Sequence, residues 1–203
     1  MKTLIVYKSK HGAVKEVAEY MGKKLQADIQ EAADTLSFQA YDQIVFMGSI
    51  YAGRLAKQLR SCIQKKDAEL TGKRISMLLS GMGNASTEKI ITENLGAEFY
   101  RRLTFSDMIG GRLDFHKLGF LEKKIICMVN RQEHLYEEQS VSVVDQLHWE
   151  NIDAAVYQLP PVYPPAAFCP YIPPPPLPLR AYFYKRLVFS YSFPSPAHCR
   201  NLL

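Results

Sequence analysis

The first 159 of the chain's 203 residues contain no proline; all twelve prolines fall at or after Pro160. A stretch of that length without a helix breaker can carry long regular elements, and the crowding of proline after it excludes the last part from the same pattern. Cysteine is scarce. Cys62, Cys127, Cys169 and Cys199 form no CxxC pair and have no histidine at metal-ligand spacing, which argues against a zinc site or a disulfide framework and for reduced thiols. Apolar runs are short, none near the roughly 20 residues that span a bilayer. The run Thr3 to Tyr7 is too brief for the apolar core of a signal peptide, so a cytoplasmic protein is expected.

Acidic residues are absent from Pro160 onward, where Arg180, Lys185, Arg186 and Arg200 lie. Residues 1–159 hold 21 basic and 20 acidic side chains, so the net charge of +5 belongs to the tail. It is therefore no footprint of nucleic-acid binding by a folded domain. The expected organisation is one α/β domain over 1–159, long enough for a good core, and an irregular Pro-rich, aromatic and basic tail over 160–203.

What is there begins with MKTLIVYKSKHGAVKEV. The apolar run from Thr3 to Tyr7 reads as a buried strand, Ser9 to Gly12 as a tight turn, and Val14, Val17, Ala18 and Met21 as one face of a helix ending near Leu25. Such a turn aims the first amides of the helix at the carboxyl edge of a sheet, where the helix end favours an anion. With a single glycine the turn is a weak phosphate signal by itself. Ala27 to Glu31 reads as a weak strand, and Asp42 to Gly48 and Ile75 to Leu79 as strong ones. Helices are expected over Leu55 to Lys65 and Thr87 to Tyr100. Phe105 to Gly111 reads as a fifth strand, Leu118 to Val129 as a helix, and Val141 to Tyr157 as a closing helix. This alternation predicts a parallel sheet. Three strands end in Ser- or Gly-containing loops that can converge on one ligand crevice.

These loops resemble the flavodoxin-like family, a three-layer α/β sandwich with a five-stranded parallel sheet that binds FMN at its carboxyl edge. Within it, MKTLIVYKSKHG, GSIYAGRL and GGRLDFHKLGFLEKKII look most like bacterial menaquinone-dependent protoporphyrinogen oxidases and related flavodoxin-domain proteins. The resemblance implies that Ser9, Lys10, His11, Gly12, Ala13 and Val14 hold the FMN phosphate. It implies that Ser49, Ile50, Tyr51, Ala52 and Gly53, with Ser80, Gly81, Met82, Gly83 and Asn84, flank the isoalloxazine ring. His11 and Val14 stand where the family commonly has hydroxyl residues, so weaker FMN retention is expected.

Arg54, Arg112, His116 and Lys117 are candidates for meeting an anionic substrate, against the plainer reading of solvated basic side chains. Cys62 lies on an apolar helix face and reads as core. Trp149 reads equally as a core anchor or an exposed ring. No acid, base or nucleophile constellation is present, as expected where a flavin carries the chemistry. The resemblance implies an FMN-dependent oxidoreductase that takes hydrogen from protoporphyrinogen and passes electrons to a quinone. Two alternatives stay open: an electron carrier with no substrate of its own, whose usual acidic docking surface the near-neutral body lacks, and a flavin-free binding module. In the tail, Pro173 to Pro176 favours an extended spacer or ligand. The patch AYFYKRLVFSY, Ala181 to Tyr191, reads either as a peripheral contact with an anionic membrane surface or as a change of composition without a role.

Overall fold

A computed structural model gives the structure of the protein and describes residues 1–83, 85–116, 118–133 and 142–159. The expected tail, Asn84 and Lys117 lie outside the described residues. Strand β1 (Thr3–Lys8) leads through a turn into α1 (Ala13–Leu25). Gly12 supplies the φ of +96° that starts the helix, a left-handed conformation that costs glycine little. Val14, Val17, Ala18, Met21 and Leu25 recur three and four apart and are all buried, so the helix presents one apolar stripe to the sheet. There follow β2 (Asp28–Glu31), β3 (Gln43–Tyr51), β4 (Arg54–Leu55), α2 (Lys57–Lys65) and a 3-10 turn over Asp67–Leu70. Then come β5 (Arg74–Ser80), α3 (Thr87–Leu95), α4 (Ala97–Arg102) and β6 (Leu103–Met108). The last elements are β7 (Gly110–Asp114), α5 (Phe120–Glu133), β8 (Val143–Leu147) and α6 (Trp149–Gln158).

Five strands pair in parallel in the order β2-β1-β3-β5-β6. Leu4, Val6, Ile44, Phe46, Ile75, Met77 and Leu79 pack with residues of α2, α3 and α4 on one face. Ile5, Val45, Met47 and Leu78 pack with α1 and α6 on the other. Alternate side chains of the central strands are thus buried on opposite faces, the reason these strands read as unbroken apolar runs. Each such side chain fully removed from water contributes about 1.5–3 kcal/mol. The result is the expected flavodoxin-like three-layer α/β sandwich. Cys62 is buried within it, its thiol donating to the Ala33 carbonyl at 3.3 Å. Trp149, 38% exposed, stands edge-on to Tyr20 at 5.3 Å, so the ring is anchored at its edge and wet elsewhere.

Several boundaries differ from the sequence reading. The strand expected over 42–48 continues to Tyr51 and folds back as β4, so Leu55 is in a strand and the next helix starts at Lys57. The helix expected over 87–100 breaks at Gly96, whose φ of +93° ends α3. The strand expected over 105–111 stops at Met108, and a separate strand, β7, starts at Gly110. Within the helix expected over 141–157, Val143–Leu147 is a strand, β8, and the helix begins only at Trp149. Strands β7 and β8 pair antiparallel with Arg112 opposite Asp145. The excursion they bound closes where it opened, since the His148 amide donates to the Ile109 carbonyl at 3.0 Å.

Candidate functional site

The strand order runs outward in opposite directions from β1 and β3, so the chain leaves their carboxyl ends on opposite sides and a crevice stays open between them. There lies a cavity of about 420 Å³, within the range of small-molecule sites. Most of its wall comes from four stretches that lie far apart in the sequence.

The first stretch is the turn after β1, which contributes Ser9, Lys10, His11, Ala13 and Val14. The Ser9 hydroxyl accepts the Gly12 amide at 3.0 Å and closes the turn. The helix's first backbone bond is Glu16 N–H to Gly12 C=O, so the amides of Ala13, Val14 and Lys15 precede any intrahelical acceptor. They form the positive end of α1. Val14, 2% exposed, is committed to the core against the sheet, which accounts for an apolar residue in this turn. The Lys10 ammonium stands 4.3 Å from the centre of the Tyr51 ring, and the His11 ring 6.2 Å from it.

The second stretch is the hairpin of β3 and β4, lining the cavity with Ser49, Ile50, Tyr51, Ala52 and Gly53. Tyr51 pairs with Arg54, leaving Ala52 and Gly53 as a two-residue loop with φ of 47° and 73°. Positive φ at both central residues matches the twist that a tight hairpin needs. From α3, Asn94 reaches this loop. Its Nδ2 donates to the Gly53 carbonyl at 2.9 Å and its Oδ1 accepts the Leu55 amide at 2.9 Å.

The third stretch follows β5 and brings Ser80, Gly81, Met82 and Gly83. The Gly81 amide donates to the Gly110 carbonyl at 3.0 Å. This approach is close: a Cβ on Gly111 would stand 2.9 Å from Met82 Cγ and 3.1 Å from the Gly81 carbonyl carbon. A Cβ on Gly110 would meet the Gln146 carbonyl oxygen at 1.9 Å, so the β7–β8 pairing needs glycine there.

The fourth stretch is the β7–α5–β8 insert. Leu113, Leu118, Ile126 and Val144 form a small cluster of their own against Tyr51 and Met82, and Gly111, Arg112, Leu113 and Ile126 face the cavity. Arg112 does not offer a spare charge. Its Nη1 donates to Glu16 at 2.5 Å, and its Nε and Nη2 meet one Asp145 oxygen at 2.8 and 2.7 Å. These partners, Glu16 first, hold the guanidinium firmly protonated. Burial pushes the Asp145 carboxyl up, but the Arg112 and Leu147 hydrogen bonds outweigh it and leave Asp145 below its ordinary value.

Of the residues singled out in the sequence, Gly12 shapes the turn without reaching the cavity wall. Arg54 borders a neighbouring cleft instead. His116 is exposed and off the wall, and Asn84 and Lys117 are outside the described residues. The wall also includes Ala85, Ile90, Met108, Gly111, Leu113 and Ile126, which the sequence reading missed. The Gly110-Gly111 pair was the visible signal, as neighbouring glycines in a strand mark a close backbone approach. Among the described residues, no group of His, Cys, Asp and Glu side chains can hold a metal ion. No described helix is long and apolar enough to cross a membrane.

The family described as flavodoxin domain matches residues 4–140. No curated protein matches the chain. Among solved structures, a flavoprotein from Lactobacillus acidophilus NCFM in complex with FMN is 15% identical, with a TM-score of 0.39 over 54% of this chain and 91% of that one. Flavodoxin 1 from Bacillus cereus is 13% identical, with a TM-score of 0.42 over 65% and 96%. A flavodoxin from the domain Archaea is 18% identical, with a TM-score of 0.43 over 55% and 82%. Matched along most of its length, from the first strand into the insert, the chain belongs to the flavodoxin domain family.

Proposed function

We propose that this chain binds FMN in the cavity at the carboxyl edge of its sheet and works as a redox protein. We further propose that it removes hydrogen from a protoporphyrinogen-type tetrapyrrole with a quinone as acceptor. The observation that carries the cofactor reading is the enclosure itself. Three loops and an insert surround an open space whose walls are apolar on most sides, at Ile50, Met82, Met108 and Leu113, with the Tyr51 ring beside them.

The residues present fit a phosphorylated flat ring. The amides of Ala13 and Val14 and the Lys10 ammonium suit the phosphate, in place of the hydroxyls absent at His11 and Val14. The apolar walls suit the ring and keep water from it. When bound, the flavin supplies the hydride or single-electron chemistry. What would fall to this chain is to hold the phosphate with the turn after β1 and the ring with the apolar residues of the two following loops and the insert.

The oxidase reading is supported by the GSIYAGRL and GGRLDFHKLGFLEKKII segments, which contribute Ser49 to Gly53, and Gly111 to Leu113 with Ile126, to the cavity wall, and by the near-neutral charge of residues 1–159. An electron carrier of this fold would be expected to show an acidic docking face. Contact of the tail with an anionic membrane surface, where a quinone resides, belongs to the same proposal. Co-sedimentation with liposomes of the full chain against one ending at Leu159 tests it, and equal binding discards it.

Titration of flavin-free protein with FMN, read by flavin fluorescence quenching, is expected to saturate at one per chain. No quenching at high micromolar FMN overturns the cofactor reading. Anaerobic incubation of the FMN-loaded protein with protoporphyrinogen and a menaquinone analogue is expected to yield porphyrin fluorescence. A flat trace from a protein that does bind FMN rejects the oxidase reading alone.

A further inference from the structure

Helix α5 (Phe120–Glu133) faces two ways. At about 100° per residue, Ile126 and Asn130 fall on one side, and both are buried, Ile126 in the cavity wall. Phe120, Lys124, Cys127, Met128 and Arg131 fall within another arc of about 100°. There Phe120 is 74% and Met128 59% exposed, Lys124 and Arg131 are exposed, and the exposed Lys123 adjoins the arc. Two of the six large apolar side chains left exposed among the described residues thus share one helix face, roughly 12 Å apart along its axis.

The cations of this face are not taken up by neighbours. Among the described residues, the Lys123 and Arg131 side chains make no ion pair or hydrogen bond, and the Lys124 ammonium stands 4.7 Å from the centre of the Phe120 ring. The helix's two acids, Glu122 and Glu133, occupy positions about 170° round from the middle of the arc. Apolar and basic side chains therefore alternate along the outer face.

We propose that the outer face of α5 rests on an anionic lipid surface, with Phe120 and Met128 entering the boundary between headgroups and acyl chains and Lys123, Lys124 and Arg131 meeting lipid phosphates. A helix that lies in an interface needs both kinds of side chain. Long basic side chains reach the headgroups while their stems lie along apolar surface, and each cation adds its own attraction to an anionic leaflet. A fluid lipid surface also takes up a convex helix without a matching groove. At 14 residues α5 is too short to cross a bilayer, so it lies on one. The inference deepens the proposed function, since its use rests on a quinone acceptor held in the bilayer. With Ile126 of the same helix in the cavity wall, docking brings that wall within about one helix diameter, 10–12 Å, of the lipid. The binding itself needs no cofactor.

The test places an indole on the face. Phe120→Trp in the full chain is mixed at low salt with vesicles of equal parts phosphatidylcholine and phosphatidylglycerol carrying brominated acyl chains, beside the parent, whose one tryptophan is Trp149. Quenching is expected in Phe120→Trp beyond that of the parent, and none with phosphatidylcholine alone. In co-sedimentation, Lys124→Gln combined with Arg131→Gln is expected to bind the anionic vesicles about tenfold more weakly, and Lys57→Gln, an exposed charge on α2, as the parent does. The proposal is overturned if vesicles bind without quenching the introduced indole, if the parent is quenched equally, or if phosphatidylcholine alone serves as well. It is overturned too if the double variant binds like the parent, if Lys57→Gln weakens binding equally, or if polyglutamate binds and vesicles do not, which assigns the face to an acidic protein surface. FMN titration of the same samples separates the two readings: failure to bind FMN with quenching retained removes the cofactor reading and leaves the lipid-binding face.

Discussion

Asn94 holds Gly53 and Leu55 at once: one end of its carboxamide donates to the Gly53 carbonyl and the other accepts the Leu55 amide, both at 2.9 Å. The hairpin that carries Tyr51 is therefore fastened to α3. Asn94→Ala leaves the partly buried Leu55 amide without its partner, at about 1–3 kcal/mol, and gives the exposed Gly53 carbonyl back to water. On the proposed FMN reading, the FMN dissociation constant is expected to rise roughly tenfold, the equivalent of about 1.4 kcal/mol. Hydrogen exchange at the Leu55 amide is expected to quicken. An unchanged dissociation constant together with unchanged exchange would refute the fastening role.

Ala52 adopts a φ of 47°, where a Cβ costs about 1 kcal/mol relative to glycine. Ala52→Gly is expected to raise the unfolding free energy by about 0.5–1 kcal/mol, read as a higher urea midpoint at constant slope. A lower midpoint would show that the hairpin is not strained there.

Arg112 joins Glu16 of α1 to Asp145 of β8 at the cavity rim. These side chains are only partly withdrawn from water, so their worth is modest. A double-mutant cycle with Glu16→Gln and Arg112→Gln is expected to give a coupling of about 0.5–1 kcal/mol that shrinks in high salt. Coupling indistinguishable from zero at low salt would contradict it.

Several surface carboxyls titrate below their ordinary values. Asp28 is held down first by the Tyr41 hydroxyl and then by Lys2, Glu31 by Lys8, Asp34 by Lys65, and Glu69 by the Phe38 amide. A folded-state value below the unfolded one means stability that is fully present above the ordinary values of 3.8 and 4.5. It is lost as pH falls through the folded-state values. The urea midpoint is expected to be level from pH 7 to 5 and to drop between pH 4.5 and 3, with a smaller drop in Asp28→Asn. A midpoint as high at pH 3 as at pH 7 would exclude this linkage.

The sheet and the first loop were legible in the sequence because each rests on local pattern. Thr3 to Tyr7 is apolar without interruption and becomes a strand buried on both faces, and Val14 to Leu25 has helical spacing and becomes α1. Val143–Leu147 was misread because a strand of the sequence VVDQL carries one buried residue, Val144. Its pairing with β7 comes from residues more than 25 positions away. Asn94 was invisible for the same reason, since its partners Gly53 and Leu55 lie about 40 residues upstream. Arg112 was read as a free cation because nothing near it in sequence announces Glu16, 96 residues earlier.

The insert leaves the sheet at Ile109 and comes back at His148, and a single backbone hydrogen bond joins the two points. Its two ends thus share one doorway, and nearly forty intervening residues can lengthen, shorten or change character without moving a strand of the central sheet. Substitutions there alter the rim before they reach the turns at the base, so on the proposed reading the choice of a second molecule and the hold on the cofactor can be varied separately.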